Sequence, residues 1–302
     1  MSRLRLGAYL DDSNGARPSL AAFERTVRAR CDVEASYWSW GLGLTPAPFE
    51  RARAALHDGR IPLLTWEPWA LPPAAADPAR WPGNRPYALA RIVAGDFDPY
   101  VDAWAQHLRN LGGEVYLRPM HEMNGNWYPW CGVVEGNSAA LYRAAWRRLH
   151  GRFTAAGADN VRWVWSPYVH SVPAREENSL AAYFPGDAFV DFVGIDVYNW
   201  GITRPWSRWQ GFAELFEPAY RALGMLSAAP IIIAEVGCAE VGGSKAAWLA
   251  DAIDTLRGSF PNVDTVVWFN VDKECDWRLE SSGESLRAFR EAWSSASEPA
   301  CR

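Results

Sequence analysis

Residues 116–132, with the sequence YLRPMHEMNGNWYPWCG, decide how the fold of this chain is interpreted. The segment starts as a strand-like run, and His121 and Glu122 stand where that run ends. Three aromatic residues follow directly: Trp127, Tyr128 and Trp130. A His-Glu pair suggests metal chemistry, whereas a carboxylate beside aromatic rings suggests sugar chemistry. The choice between them depends on the fold around the segment.

The same strand-like pattern occurs eight times along the chain, and amphipathic stretches separate the runs. The predicted strands cover residues 3–10, 33–40, 61–69, 114–122, 161–168, 192–200, 230–237 and 263–270. The predicted helices cover residues 19–30, 47–58, 99–111, 138–156, 211–226, 245–258 and 284–295. The first strand is not followed by the Gly-rich turn of an open dinucleotide-binding sheet. The alternation therefore predicts an α/β protein with one (β/α)8 TIM-barrel domain over residues 1–302.

Charge and composition exclude several classes of partner. A net charge of -5 leaves no basic surplus to neutralise phosphates, so we expect neither a nucleic-acid partner nor a membrane partner. No apolar run is long enough to span a bilayer, and the first residues show no signal peptide. We expect a monomer that is cytoplasmic if residue 1 is the native start, and secreted if a signal was removed.

The five cysteines show neither the spacing of a zinc site nor that of a disulfide framework. They are Cys31, Cys131, Cys238, Cys275 and Cys301. We interpret them as mostly buried thiols.

Two glutamates end strands that are otherwise apolar. Glu122 ends the fourth predicted strand, and Glu235, in IIIAEVG, ends the seventh. Active sites of (β/α)8 barrels lie at the carboxyl ends of the strands. A charge at the end of an apolar strand is costly, so it is expected to have either an interaction partner or a catalytic role. Each glutamate alone is compatible with an ion-paired rim residue. Together they fit hydrolysis of a glycosidic bond, in which one carboxyl group protonates the leaving oxygen and the other lies beneath the anomeric carbon.

Tyr198 ends the sixth predicted strand. Its hydroxyl is well placed to donate a hydrogen bond that keeps one of the two carboxylates ionised. A half-buried aromatic at the barrel rim is the alternative interpretation.

The sequence does not support the other catalytic classes. A zinc helix of the His-Glu-x-x-His type needs a second histidine at position 125, which is Gly125, and Pro119 disfavours a helix there. No G-x-S-x-G turn is present, and neither Lys245 nor Lys273 ends a strand as a pyridoxal enzyme would require. We therefore predict that the chain uses no metal and no cofactor.

The chain contains 18 tryptophans. Trp104 and Trp146 lie on predicted helices and are expected to be structural. Others fall at or beyond strand ends, where rings are typical of a binding cleft, namely Trp66, Trp69, Trp127, Trp130, Trp200 and Trp268. Three long connections, 71–98, 171–190 and 270–283, are predicted to form the walls of that cleft.

Three segments, RPMHEMNGNWYPW, YFPGDAFVDFVGIDVYNW and PIIIAEVG, closely resemble glycoside hydrolase family 26. The resemblance extends from the first strand to Trp293. It implies a (β/α)8 barrel of the β-mannanase type, a retaining double displacement, Glu122 as general acid/base and Glu235 as nucleophile. It also implies that His121 contacts the sugar at the reacting subsite and orients the acid.

The same resemblance implies roles around the two glutamates. Asp196 and Tyr198 would order the nucleophile, Trp127 would stack beside the cleavage point, and Trp268 would lie under the reacting sugar. We also expect substrate contacts from Trp66 and Trp130. Arg118 is expected to hydrogen-bond the nucleophile or the substrate, with an ion pair inside the barrel as the alternative.

The expected partner is a polysaccharide or oligosaccharide, and family frequency favours β-1,4-mannan. Mixed-linkage β-glucan and β-1,3-xylan are the alternative substrates, and residues 201–210 add a further subsite loop. A carbohydrate-binding barrel that has lost catalysis is the alternative from another class. For retaining chemistry we expect the two carboxyl groups to lie roughly 5 to 5.5 Å apart.

Overall fold

The computed structural model describes residues 3–11, 19–73, 76, 77, 79–134 and 136–294. The strands are β1 (Arg5–Leu10), β2 (Val33–Ser39), β3 (Ile61–Glu67), β4 (Val115–Pro119), β5 (Val161–Trp165), β6 (Phe192–Asn199), β7 (Ile231–Cys238) and β8 (Val263–Asn270). They are ordered as in the sequence and close into a barrel in which β1 pairs in parallel with both β2 and β8. The predicted (β/α)8 barrel is confirmed.

Within the described residues, nine α-helices lie between and after the strands, besides four short 3-10 helices. They are α1 (Leu20–Val27), α2 (Ala47–His57), α3 (Leu89–Ala94), α4 (Asp98–Arg109), α5 (Ala139–Ala155), α6 (Leu180–Tyr183), α7 (Phe212–Leu226), α8 (Lys245–Ser259) and α9 (Gly283–Ser294). At least one helix therefore follows every strand.

Serine side chains fix the starts of three helices. The hydroxyl oxygens of Ser19, Ser138 and Ser244 accept hydrogen bonds from backbone N–H groups in the first turns of α1, α5 and α8. Each satisfies a donor that the helix itself leaves without a partner. These caps explain why the sequence predicted the start of each of these helices to within one residue.

Several strands end earlier than the sequence predicted. The third was expected to reach residue 69 and ends at Glu67, because Pro68 has no N–H group to continue the ladder. The fourth was expected to reach Glu122 and ends at Pro119, after which the backbone leaves the extended region at Met120.

The chain divides into two compact units, and the boundaries fall within β2, β6 and α7 and directly before β7. The first unit is drawn from Met1–Ala35, Asp196–Arg221 and Ile231–Arg302. Its core includes Leu6, Phe212, Trp248 and Phe289. The second is drawn from Ser36–Ile195 and Ala222–Pro230, and its core includes Trp66, Trp104, Trp146 and Phe153. The organisation as a single domain stays a prediction.

Most of the cysteines are buried, as the sequence predicted. Cys31, Cys131 and Cys238 are buried and Cys275 is partly exposed, while Cys301 lies outside the described residues. Burial raises the pKa of Cys131 and of Cys238 to about 12 in each case, so both remain protonated.

In the described part of the chain, no helix combines the length and the apolar character that crossing a membrane requires.

Candidate functional site

The backbone that follows β4 is held in a left-handed conformation. Met120 has a φ of 51° and Glu122 a φ of 52°, values that residues other than glycine rarely adopt. Each costs on the order of 1 to 3 kcal/mol and persists only where interactions with the surrounding structure offset that cost. The Glu122 N–H group donates to the Ser166 carbonyl at 2.7 Å, and the Glu122 carbonyl accepts from the Gly125 N–H group at 2.9 Å. These bonds fix where Glu122 projects from the strand.

The Glu122 carboxylate is held by an aromatic donor. The residue is 7% exposed, and the Trp127 indole Nε1 donates to its Oε2 at 2.6 Å. The Trp127 ring packs edge-on against Tyr168, with ring centroids 5.2 Å apart. A Cβ atom at Gly125 would lie 2.5 Å from the Trp127 ring, so only glycine allows this close approach. Trp127 itself is partly exposed, as a substrate-contacting ring must be.

His121 is buried among aromatic rings. Its Nε2 lies 3.2 Å from the Tyr128 hydroxyl, and its ring centroid is 4.8 Å from that of Tyr128 and 5.9 Å from that of Tyr37. The Trp130 indole donates to the His121 carbonyl at 2.7 Å. These contacts fix both the backbone and the ring of His121.

The prediction that Trp130 contacts substrate is wrong. Its ring is buried and stacks on Tyr128, with centroids 4.5 Å apart and planes 12° apart. It supports the loop that carries His121.

Arg118 is a buried cation on β4. Its Nε donates to the Thr65 hydroxyl at 3.0 Å, and its Nη2 donates to the Tyr37 hydroxyl at 3.0 Å. The guanidinium also lies over the Tyr37 ring, 5.5 Å from the centroid. The hydroxyl groups of Thr65 on β3 and Tyr37 on β2 thus help to fix the orientation of the Arg118 guanidinium.

The prediction that Trp66 contacts substrate is also wrong. Successive side chains of a strand point to opposite faces, and on β3 it is Thr65 that meets Arg118. Trp66 points the other way and packs against Trp104 on α4 and Phe153 on α5, at centroid distances of 5.1 and 5.9 Å. It is 0% exposed and belongs to the layer between strands and helices.

In the first unit, Glu235 is held in the same manner as Glu122 in the second. Glu235 is 6% exposed at the C-terminal part of β7, and the Tyr198 hydroxyl donates to its Oε2 at 2.5 Å. This is the hydrogen bond that the sequence led us to expect. Asp196, two residues before Tyr198 on β6, is fully buried on the same face of the strand.

The Tyr198 ring is fixed by tight packing. It contacts Trp277 and Phe269, with centroids 5.0 and 5.8 Å away. A Cβ atom at Gly237 would lie 2.9 Å from the Tyr198 ring and 3.0 Å from that of Trp277. Gly237 is therefore the counterpart of Gly125, because each lets an aromatic donor reach its carboxylate across bare backbone.

The structure also corrects the predicted role of Trp268. Its buried ring faces the helix layer and lines an apolar cavity with Trp248 of α8 and Phe289 of α9. Its indole donates to the Trp277 carbonyl at 2.9 Å. The next residue on β8, Phe269, points to the opposite face and meets Tyr198. Trp268 therefore anchors the connection after β8 and is not a platform under a sugar.

Sequence reasoning missed several residues of the candidate site. Trp277 lies in the connection 270–283, which was predicted to be a cleft wall without its ring being singled out. Trp69 was marked as a cleft ring and not as a site residue, yet its indole donates to Glu67 at 3.2 Å. Tyr37 lies inside β2, where an aromatic residue carries no signal that distinguishes it from a core residue.

Comparisons with known proteins agree with this arrangement. The sequence model described as glycosyl hydrolase family 26 matches residues 86–250. Endoglucanase H of Acetivibrio thermocellus is 37% identical over 298 residues, which are 96% of this chain and 30% of that protein. A mannan endo-1,4-beta-mannosidase of Bacillus subtilis is 28% identical over 223 residues, which are 72% of this chain and 52% of that protein.

The fold is shared with solved structures. That of the Bacillus subtilis mannanase BCman matches with a TM-score of 0.63 and 21% identity, over 94% of this chain and 84% of that one. The chain spans less than a third of the length of endoglucanase H and about half of that of the mannosidase.

Proposed function

Because the chain belongs to glycosyl hydrolase family 26, we propose that it cleaves the main chain of a β-linked polysaccharide internally by a retaining double displacement. One observation carries the proposal. Two buried glutamates belong to different strands of the barrel, since Glu122 follows β4 and Glu235 lies in the C-terminal part of β7, and an aromatic side chain donates a hydrogen bond to one oxygen of each. In barrels of this kind the carboxyl ends of the strands open on one face, where a substrate binds.

In the first step, the second carboxylate oxygen of Glu235, Oε1, attacks the anomeric carbon while Glu122 protonates the departing glycosidic oxygen. The products are a glycosyl ester on Glu235 and a shortened chain with a new hydroxyl group. In the second step, Glu122 takes a proton from water, whose oxygen attacks the anomeric carbon and releases Glu235. The net configuration is retained, and neither a metal nor a cofactor takes part.

The supporting residues have separate tasks in this scheme. Tyr198 holds Glu235 in the orientation for attack, and Trp127 holds one oxygen of Glu122 so that the other faces the leaving group. His121 and Arg118 orient the sugar next to them. We expect a separation of roughly 5 to 5.5 Å between the two carboxyl groups, which a crystal structure with a bound oligosaccharide would measure.

The catalytic assignment is tested by removing each carboxyl group. We expect Glu122→Ala and Glu235→Ala each to lower kcat by about 10³-fold or more, because each group acts in the transition state. Added azide should restore turnover of Glu235→Ala and yield a glycosyl azide of inverted configuration, since azide attacks from the face that the carboxylate leaves open.

Glu114→Ala is the matched control. Glu114 precedes β4 and pairs at the surface with Arg162 at 3.2 Å, so its removal should leave kcat within about twofold of the wild type. Full activity in either Glu122→Ala or Glu235→Ala would end the assignment.

For the substrate, we place a β-glucan main chain first and β-1,4-mannan second. Endoglucanase H aligns with nearly the whole chain, whereas the mannosidase aligns with less of it at lower identity. An alignment over 96% of the chain takes in most of the connections after the strands, and such loops set subsite shape in barrel enzymes.

A panel of polymers separates these candidates. Mixed-linkage β-glucan, carboxymethyl cellulose, β-mannan and β-1,3-xylan are incubated with the enzyme, and new reducing ends are measured together with viscosity. Internal cleavage lowers viscosity early, at few new ends. Product from β-mannan alone would reverse the order of the two candidates. Binding without product from any polymer would favour the catalytically inactive barrel.

A further inference from the structure

A single tryptophan stands out on the connection between β6 and α7. Trp206 is 69% exposed, and among the exposed large hydrophobic residues of the described chain it is the only aromatic one. Two exposed aliphatic residues, Ile202 and Val241, lie on this connection and on the one after β7, and the Ile202 N–H group donates to the Val241 carbonyl at 3.1 Å. Nothing in the catalytic scheme uses this surface.

A continuous row of aromatic rings joins Trp206 to the proposed nucleophile. Tyr198, which donates to Glu235, contacts Trp277, and Trp277 contacts Trp200 edge-on. Trp200 in turn contacts Trp206 at an interplanar angle of 62°. Each step between ring centroids lies between 4.9 and 5.3 Å. Trp206 is therefore the solvent-exposed end of a row that begins at the proposed reaction centre.

The connection that carries Trp206 is braced before any ligand binds. The Arg204 guanidinium lies over the Trp200 ring, 5.5 Å from its centroid, and its Nη2 donates to the Glu274 carbonyl at 3.1 Å. A tight turn joins Arg204 to Ser207, whose N–H group donates to the Arg204 carbonyl at 3.1 Å. A ring on a braced turn loses little conformational freedom on binding, which favours affinity.

We propose that Trp206 forms an outer subsite. Its ring would bind a hexose of the polysaccharide main chain that lies farther along the chain than the sugars next to the cleaved bond. The inference rests on the proposed function and adds a binding residue to it. The C–H groups on one face of a β-linked hexose pack on a flat indole. Trp206 lies on the connection that follows the C-terminal end of β6, and barrels of this kind bind substrates at the carboxyl ends of their strands. The same connection carries polar groups, namely Arg208, which pairs with Glu214, and the hydroxyl groups of Thr203 and Ser207, which donate to the carbonyls of Trp200 and Arg204. A polar neighbourhood of this kind suits a sugar better than an apolar protein surface.

The test compares a long and a short substrate. Wild type, Trp206→Ala and Trp206→Tyr are assayed on the polymer that the panel identifies and on an activated aryl glycoside of the matching disaccharide. The short substrate occupies only the subsites beside the cleaved bond. We expect Trp206→Ala to raise KM for the polymer about tenfold, so that the ratio of kcat/KM between polymer and disaccharide falls by the same factor. Trp206→Tyr should recover most of this ratio, because it retains a ring face.

Met225→Ala is the matched control, since Met225 is 89% exposed in the last turn of α7 and belongs to no ring row. A ratio in Trp206→Ala equal to that in Met225→Ala would overturn the proposal. An equal loss on both substrates would also overturn it, because Trp206 would then act by positioning Tyr198. A change of oligomeric state in size-exclusion chromatography with an unchanged ratio would overturn it in favour of a protein interface.

The subsite can be tested even if the proposed hydrolysis fails. Affinity electrophoresis through gels containing each polymer measures binding without requiring any product. Slower migration of wild type and Trp206→Tyr, lost in Trp206→Ala, supports the subsite whether or not the chain is catalytic. Equal retardation of all three proteins would count against it.

Discussion

At the scale of single residues, the two glutamates share one local design. Glu122 follows β4 and Glu235 lies in the C-terminal part of β7, and each has one carboxylate oxygen fixed by an aromatic donor, Trp127 for Glu122 and Tyr198 for Glu235. Each donor also packs closely on a glycine in the segment that carries the glutamate. This arrangement orients a carboxyl group with rigid rings, which have little rotamer freedom to lose.

The hydrogen bond from Tyr198 gives the first prediction at this scale. Tyr198→Phe keeps the ring against Trp277 and removes only the hydroxyl that donates to Glu235. A hydrogen bond to a charged group contributes about 1.5 to 3 kcal/mol, so we expect kcat to fall by about 10- to 100-fold with little change in KM. Steady-state kinetics on the preferred polymer measures the effect.

Tyr220→Phe serves as its control, because the Tyr220 ring on α7 packs on Phe216 and Phe260. We expect wild-type kinetics from it. If Tyr198→Phe behaves like Tyr220→Phe, the hydroxyl does not orient the nucleophile.

The sequence identified candidate site residues best where a residue type has few structural roles at that position in a strand. Glu122, Glu235 and Tyr198 could be found because a polar group at the end of an apolar strand is uncommon. Trp66 and Trp268 could not be assigned correctly, because a tryptophan suits either face of a barrel strand and a shift of one residue changes the face. The left-handed conformations of Met120 and Glu122 arise from the tertiary hydrogen bonds around them, so no local sequence signal predicts them.

At the scale of elements, the long and regular ones could be predicted and the short ones could not. Seven helices with several turns appeared from their apolar periodicity, each within a few residues of its observed bounds. α3 and α6 lie in connections that were predicted as loops, 71–98 and 171–190. They have six and four residues, which is too short for a helical period to be recognised.

The N-terminus of α8 contains an unusual buried charge. Lys245 is fully buried in the first turn, where the helix dipole disfavours a cation. Its Nζ donates to the Arg278 carbonyl at 2.7 Å, to the Ser281 hydroxyl at 2.8 Å and to the Asp276 carbonyl at 3.3 Å. Lys245 thus fastens the connection 271–282, which carries Trp277, to the start of α8.

We predict that Lys245→Met destabilises the fold by about 2 to 3 kcal/mol, because it removes the donor that three partly buried acceptors share. Urea denaturation measures the difference. The chain contains one other lysine, Lys273, whose side chain is 65% exposed beside Glu274, and Lys273→Met should change stability by less than about 0.5 kcal/mol. Equal effects of the two substitutions would contradict an anchoring role for Lys245.

The stability difference between wild type and Lys245→Met should depend on pH. Burial lowers the pKa of Lys245 below its ordinary 10.5, against the opposing effect of Glu240. Between the lowered pKa and 10.5 the unfolded chain binds this proton and the folded chain does not, so stability rises with pH across that window. Wild type should therefore gain stability relative to Lys245→Met as the pH rises toward 10.5, and a constant difference would contradict the shift.

At the scale of the whole molecule, the barrel depends on pairing the two ends of the sequence. β1 pairs with β8 over six residues, from Arg5 opposite Thr265 to Leu10 opposite Asn270. Arg5 also forms an ion pair with Asp264. The number of βα repeats made this closure predictable, because eight parallel strands leave no edge when the last pairs with the first. The side chains that secure the closure could not be predicted, since they pair residues more than 250 positions apart.

The outer layer is closed by a contact between the first and last helices. Arg290 on α9 donates through its Nε to the carbonyl of Thr26 on α1 at 2.8 Å, and its Nη2 donates to the same oxygen. This carbonyl lies in the last turn of α1, where the helix leaves such groups without an internal partner and where its dipole favours a cation. Arg290 therefore caps α1 from the opposite end of the chain.

We predict that Arg290→Met lowers the free energy of unfolding by about 1 to 3 kcal/mol, because the charge-assisted hydrogen bonds to Thr26 are lost while the side-chain length is kept. The effect should appear in urea denaturation and as faster proteolysis of the terminal segments, whereas kcat should stay within about twofold of the wild type. Arg287→Met is the control, because Arg287 is exposed on the same helix. If both variants unfold at the same urea concentration, Arg290 does not join the ends of the chain, and closure depends on β1 and β8 alone.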